Sequence, residues 1–211
     1  MNVAILGAGN VGTGLARVLS TTRHGVILAG RDAAKVRKAA DAAGSETHPV
    51  QSAGIPDAIA QADVVILALP FDAAEALAKD HGFSGKIVID PTNPVKEDFS
   101  GLAFGFDTSA AERIAAAAPE ARVVKGFNTL FAQVYENGPD MGGTPVPVFL
   151  ASDDDAAKQA AMRIAGDAGF DAIDTGPLSN ARYLKPLAYL NIQFGYMLGR
   201  GTQIAPAWLS R

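Results

Sequence analysis

The chain has 211 residues, 48% of them hydrophobic and 19% charged, with a formal net charge of −4. That length fits one domain, or one domain with a small appendage. The mildly acidic balance, without any basic cluster, argues against nucleic acid or an anionic membrane as a partner. There is no Cys, which excludes disulfides, thiolate chemistry and cysteine-ligated zinc, and suits a reducing compartment. The N-terminus has no leader pattern, and no apolar run approaches the roughly 18 residues a membrane helix needs. A cytoplasmic protein is expected.

Strand and helix patterns alternate from the start. The apolar run 3–6 leads into Gly7-Ala8-Gly9-Asn10-Val11-Gly12 and a helical stretch to about residue 21. A strand at 26–29 precedes a helix over 32–43, and residues 63–69 form a continuous apolar run ended by Pro70. A helix over 72–79 leads to a strand at 86–89. Ser109-Ala110-Ala111-Glu112 has the capping-box pattern, so a helix begins there and ends before Pro119. A strand at 122–125 follows. Strands without alternation, separated by helices, indicate a parallel sheet covered on both faces. The Gly- and Pro-rich stretch 137–147 then marks a break. Beyond it come a strand at 148–151, a helix over 155–168, a short strand at 172–173 and an apolar helical region over 180–198, which Pro186 should kink or begin.

The glycine run follows a strand and opens a helix, the context in which it binds a dinucleotide; its alternative is a glycine-rich turn without a ligand. Gly7 permits the tight turn, Gly9 lets the backbone approach a pyrophosphate, and Gly12 allows close packing of helix on sheet. The helix N-terminus offers free N–H groups to the phosphates. The expected fold is therefore α/β, a Rossmann-type doubly wound parallel sheet over residues 1–136 with a small C-terminal α/β extension over 137–211.

The second strand ends at Gly30-Arg31-Asp32. An acid closing that strand reads the ribose hydroxyls of NAD and repels a 2′-phosphate. Here Arg31 offers a planar fork to such a phosphate, and Lys35 lies on the first turn of the next helix. Asp32 fits an N-cap better than a ribose ligand. The expected nucleotide is NADP(H).

The remaining residues exclude several chemistries. None of Tyr135, Tyr183, Tyr189 and Tyr196 has a Lys four residues later, as a short-chain dehydrogenase requires. His24, His48 and His81 lack metal-ligand spacing. The acids of Ser152-Asp153-Asp154-Asp155 precede a helix, whose dipole they complement. No metal site is expected.

The stretches GAGNVGTGLA, GRDAAK, VVILALPF, IDPTNP, VVKGFNT and DTGPLSNARYLKPLAYLNI, spread over nearly the whole chain, resemble the family of NADP oxidoreductases dependent on the deazaflavin coenzyme F420, including its short bacterial members. The nucleotide fold is also similar to the cytosolic domain of the STEAP metalloreductases. The resemblance implies that Asn10 and Val11 meet the pyrophosphate through their backbone, and that Arg31 and Lys35 hold the 2′-phosphate, with Gly30 where relatives commonly have Ser. Leu69, Pro70 and Phe71 would lie along the nucleotide. Asn93, Pro94, Phe127, Asn128 and Thr129 would border the nicotinamide. Turn chemistry is the alternative for Asn93 and Asn128.

The implied reaction is hydride transfer between NADP(H) and a small-molecule redox acceptor, with deazaflavin or flavin as the co-substrate. No catalytic acid–base residue is required, because the protein supplies orientation and water exclusion. Lys185 stands where relatives often have an acid. Leu187, Leu190, Phe194 and Leu198 form one helical stripe, and Tyr189, Ile192 and Tyr196 make the other side apolar. This region is expected to cover the acceptor and to form a homodimer interface, unless it is buried within its own domain. Two competing readings are a non-catalytic NADP-binding redox sensor and a small-substrate dehydrogenase related to pyrroline-carboxylate reductases.

Overall fold

Our computed structural model describes residues 1–81, 83–96 and 98–208. The strands β1 (Asn2–Leu6), β2 (Gly25–Ala29), β3 (Val50–Ala53), β4 (Val64–Leu67), β5 (Ile87–Asp90) and β6 (Arg122–Lys125) form one six-stranded sheet, in the order β3-β2-β1-β4-β5-β6. All five pairings are parallel. The doubly wound expectation is met, with the reversal of strand order falling between β1 and β4.

Side chains of a strand point alternately to the two faces, so β1 serves two cores at once. Val3 and Ile5 join one buried cluster with Leu15 of α1 (Asn10–Ser20), Val36 of α2 (Ala33–Ala43) and Val134. Ala4 and Leu6 join the other, with Ala58 of α3 (Ile55–Gln61), Ala74 of α4 (Phe71–His81) and Ile114 of α5 (Ala110–Ala117).

Three elements were not expected. The sheet-edge strand β3 has sequence VQSA with its middle two residues exposed, so it lacks the apolar run of a buried strand. Helix α3 has Pro56 as its second residue, in the first turn, where the missing N–H costs nothing. Helix α6 (Ala132–Asn137) is a short segment without a side-chain cap.

The C-terminal part adds a parallel pair, β7 (Pro147–Leu150) and β8 (Asp171–Asp174), with α7 (Asp155–Asp167) between them. An antiparallel bridge between Lys125 and Ala151 joins the pair to β6. Val146, Val148, Leu150 and Ile164 lie in the same cluster as Val3 and Ile5. The last apolar region is α8 (Ala181–Ile192), with Pro186 inside it rather than at its start, followed by a π-helical turn over Gln193–Met197. No described helix is long and apolar enough to cross a membrane.

Candidate nucleotide and acceptor site

The glycine turn sits at the carboxyl end of β1, beside the switch point. Gly7 has φ +122°, and a Cβ there would lie 2.0 Å from the carbonyl oxygen of Ala68. Its N–H donates to the carbonyl of Ala29 at 2.8 Å, which folds the turn against β2. A Cβ on Gly12 would lie 1.8 Å from the carbonyl oxygen of Gly7, so no other residue lets α1 seat this close. Gly9 differs, because a Cβ there meets nothing within 4 Å. Its lack of a side chain is not explained by the protein's own packing and fits an approaching ligand.

The ends of the helices support the same reading. Asp32, Ser109 and Asp154 cap α2, α5 and α7 with side-chain oxygens. Helix α1 has Gly9 at its N-cap, no side-chain cap and no acid in its first turn. Its orphan N–H groups and positive dipole end thus face open space at the switch point, as an anion site requires.

Asp32 accepts the backbone N–H of Lys35 at 3.0 Å, so the carboxylate caps α2 as expected. Arg31 and Lys35 are exposed, and neither side chain makes an ion pair or hydrogen bond among the described residues. Two cations at the end of β2, with the nearby acid turned to the backbone, suit a 2′-phosphate.

Asn10, Val11, Asn93, Asn128 and Thr129 come together in one cleft of ≈ 260 Å³, closed on its other side by Ala188, Asn191, Ile192 and Tyr196. Nδ2 of Asn93 donates to the carbonyl of Asn128 at 2.6 Å. Nδ2 of Asn128 donates to Oδ1 of Asn93 and to the carbonyl of Leu184, both at 3.1 Å. Asn191 donates to the carbonyl of Thr129 at 3.0 Å. Oδ1 of Asn128 and Oγ1 of Thr129 are buried without a hydrogen-bond partner among the described residues.

Between these groups the backbone is strained. Phe127 has φ +61°, a conformation that costs a non-glycine residue on the order of 1–3 kcal/mol. Its ring packs edge-on to Phe170 at 6.1 Å, away from the cleft, and its carbonyl accepts the Tyr135 hydroxyl at 2.7 Å. Burial pushes that phenol far above its ordinary value, so Tyr135 stays a neutral structural donor.

Leu69 is half-buried and Pro70 exposed beside the turn. Besides Phe127, whose ring turns away from the cleft, the expectation fails for two further side chains. The Phe71 ring, placed along the nucleotide by sequence, packs at 5.3 Å on Phe104 and under the Arg113 guanidinium at 4.9 Å. As the first residue of α4, its face is set by the core. Pro94 is buried, and its carbonyl accepts the N–H of Ala103 at 3.0 Å, which closes a local loop. Conversely, Phe131, Gln133 and Asn191 line the cleft without having been singled out. The polar break that Asn191 makes in an apolar run was the one signal pointing to it.

Helix α8 is tied down by its own cations. Lys185 is buried and donates to the carbonyls of Phe104 at 3.0 Å, of Thr108 at 3.1 Å and of Gly105. Burial holds its ammonium below the usual lysine range, against the pull of Asp107 and Glu112. Arg182 makes a two-pronged contact with Glu112, 2.6 Å at its shortest. His24 lies beside Asp167 at the opposite, amino end of the sheet, and the described residues contain no cluster suited to a metal.

This sheet order, with a glycine turn and an uncapped helix at its switch point, defines a dinucleotide-binding α/β fold. The family model described as "NADP oxidoreductase coenzyme F420-dependent" matches residues 2–94. The F420-dependent NADP reductase of Methanothermobacter thermautotrophicus is 34% identical over 91% of this chain and 88% of its own length. A crystal structure from Arthrobacter sp. FB24, provisionally named an F420-dependent NADP reductase, superposes with a TM-score of 0.79 at 29% identity, covering 97% of this chain and 99% of the other. Metalloreductase STEAP3 of Rattus norvegicus is 26% identical over 88% of this chain but only 36% of its own. The chain belongs to the coenzyme F420-dependent NADP oxidoreductase family, and it is an NADP-dependent oxidoreductase.

Proposed function

We propose that the protein transfers hydride between NADP(H), laid across the carboxyl edge of the sheet, and a deazaflavin such as F420, or a flavin, seated from the α8 side. One observation carries this reading: a single cleft is bounded by the first turn of α1, by the ends of β5 and β6, and by α8. A nucleotide whose pyrophosphate rests on Asn10 and Val11 has its nicotinamide end at Asn93, Asn128 and Thr129. Arg31 and Lys35 hold the 2′-phosphate at the far end. The nicotinamide supplies the hydride chemistry. The chain's own residues bind, orient and exclude water.

The cleft, at ≈ 260 Å³, falls just below the range of small-molecule sites, which span roughly 300–1,000 Å³. It suits a reacting ring rather than a whole acceptor. Tyr196 lines the cleft and is exposed, as are Leu190, Met197 and Leu198 of the same C-terminal region, and residues 137–211 act in this reading as the acceptor-side extension. A homodimer joined through these apolar residues, working in the cytoplasm, completes the proposal. Sedimentation of wild type against Leu190→Arg tests the dimer: a monomeric wild type overturns it.

The reaction is tested by steady-state NADPH oxidation with F420, FMN, FAD and ferric chelates in parallel. F420 or a flavin is expected to turn over. Tight NADPH binding without turnover of any acceptor would leave only nucleotide sensing.

A further inference from the structure

The carboxyl ends of β5 and β6 enclose an ion pair that nucleotide binding alone does not call for. Asp90 and Lys125 are cross-strand neighbours in the parallel register, 0% and 1% exposed. Both carboxylate oxygens are engaged. Oδ2 accepts from Nζ of Lys125 at 3.0 Å, and Oδ1 accepts the backbone N–H of Thr92 at 2.8 Å. Nζ of Lys125 also donates to the carbonyl of Thr92. The pair therefore holds both backbone polar groups of the residue that precedes Asn93.

A buried pair of this kind is weak as a stability device, because desolvation of two charges offsets their attraction, and apolar replacements of similar volume are often tolerated. Its effect is geometric. Fixing Thr92 fixes Asn93, whose amide meets Asn128, and Asn128 in turn bonds Leu184 of α8. The left-handed Phe127, two residues beyond Lys125, is a second sign that this segment is held in one conformation; such backbone persists only where its surroundings over-determine it.

We propose that Asp90 and Lys125 are positioning residues for hydride transfer, holding the Asn93–Asn128 wall at the distance from α8 that the nicotinamide and acceptor rings require. This rests on the reading of that edge as the nicotinamide side. The double variant Asp90→Asn/Lys125→Met removes both charges at nearly constant volume. It should melt within a few degrees of wild type and bind NADPH within about threefold, since the phosphate grips lie on other loops. Its kcat should fall about 10- to 100-fold, the scale of an ångström of misplacement. The fluorescence yield of bound NADPH should change at least twofold as the ring loses its fixed wall.

A kcat and a bound-NADPH yield both equal to wild type would overturn the positioning role, as would a kcat loss matched by the loss of folded protein. Should the double variant not fold, Lys125→Arg, which keeps both buried charges but moves the donor relative to Asp90 and the Thr92 carbonyl, decides the matter on the same readouts, with a kcat loss of about tenfold expected. A wild type that binds NADPH but reduces none of F420, FMN, FAD and ferric chelates counts instead against the proposed reaction, and the fluorescence yield then tests the positioning role by itself.

Discussion

Asn93 and Asn128 are locked to each other across the carboxyl edge of the sheet, each side-chain amide donating to the other residue, at 2.6 and 3.1 Å. Asn128 spends its second amide hydrogen on the carbonyl of Leu184, so both of its donors are committed and its oxygen is fixed as an acceptor. Asn128→Ala leaves that carbonyl and Oδ1 of Asn93 unpaired in a buried setting. A loss of about 1–3 kcal/mol in urea unfolding is expected. A change below the error of the titration would show that the network does not form in solution.

The glycines of the turn separate packing from binding. Gly12→Ala drives a Cβ into the Gly7 carbonyl and should lower the melting temperature or prevent folding. Gly9→Ala meets no protein atom within 4 Å, so its melting temperature should stay at the wild-type value while NADPH affinity drops at least tenfold. Unchanged affinity in Gly9→Ala would remove the pyrophosphate from this turn.

For the 2′-phosphate, Arg31→Ala is expected to weaken NADPH by about 1.5–3 kcal/mol, the scale of a hydrogen bond to a charged group. NADH binding should change little. Isothermal titration with both nucleotides is the measurement, and equal losses for the two would place the arginine elsewhere.

Acid should loosen the contact between α5 and α8. Burial alone would raise the Glu112 carboxyl, but hydrogen bonds from Arg182 and Ser109, with the charge of Arg182, hold it below its ordinary value of 4.5. A depressed carboxyl contributes stability that is full above the unfolded value and lost as pH falls through the folded one. Wild type should therefore lose stability below about pH 4.5 more steeply than Glu112→Gln. Parallel melting curves for the two proteins over pH 3–7 would contradict the assignment.

The nucleotide half was legible in sequence because its signals are local. The runs at β1, β2 and β4 are continuous and apolar, and each functional glycine stands within six residues of the next. The cleft was only half legible. Its amide pair spans 35 residues and the bond to Leu184 spans 56, so sequence could nominate both asparagines without saying which atoms meet. Phe71 shows the complementary failure, since an apolar residue at a strand end reads the same whether it faces a ligand or the core. The stripe Leu187, Leu190, Phe194 and Leu198 presumed unbroken α-helical spacing, which the π-helical turn interrupts, and Leu198 ends up 64% exposed.

That π-helical turn has an evolutionary reading. Such turns hold one residue more than the α-helix they interrupt. Here the extra residue sets Tyr196 edge-on to Phe131 at 5.3 Å, at the rim of the cleft. Deleting one codon between Gln193 and Met197 would restore ordinary winding and swing the following side chains by about 100°. Under the proposed reaction, an insertion or deletion here retunes the acceptor side of the cleft without changing Arg31 or Lys35 at the end of β2.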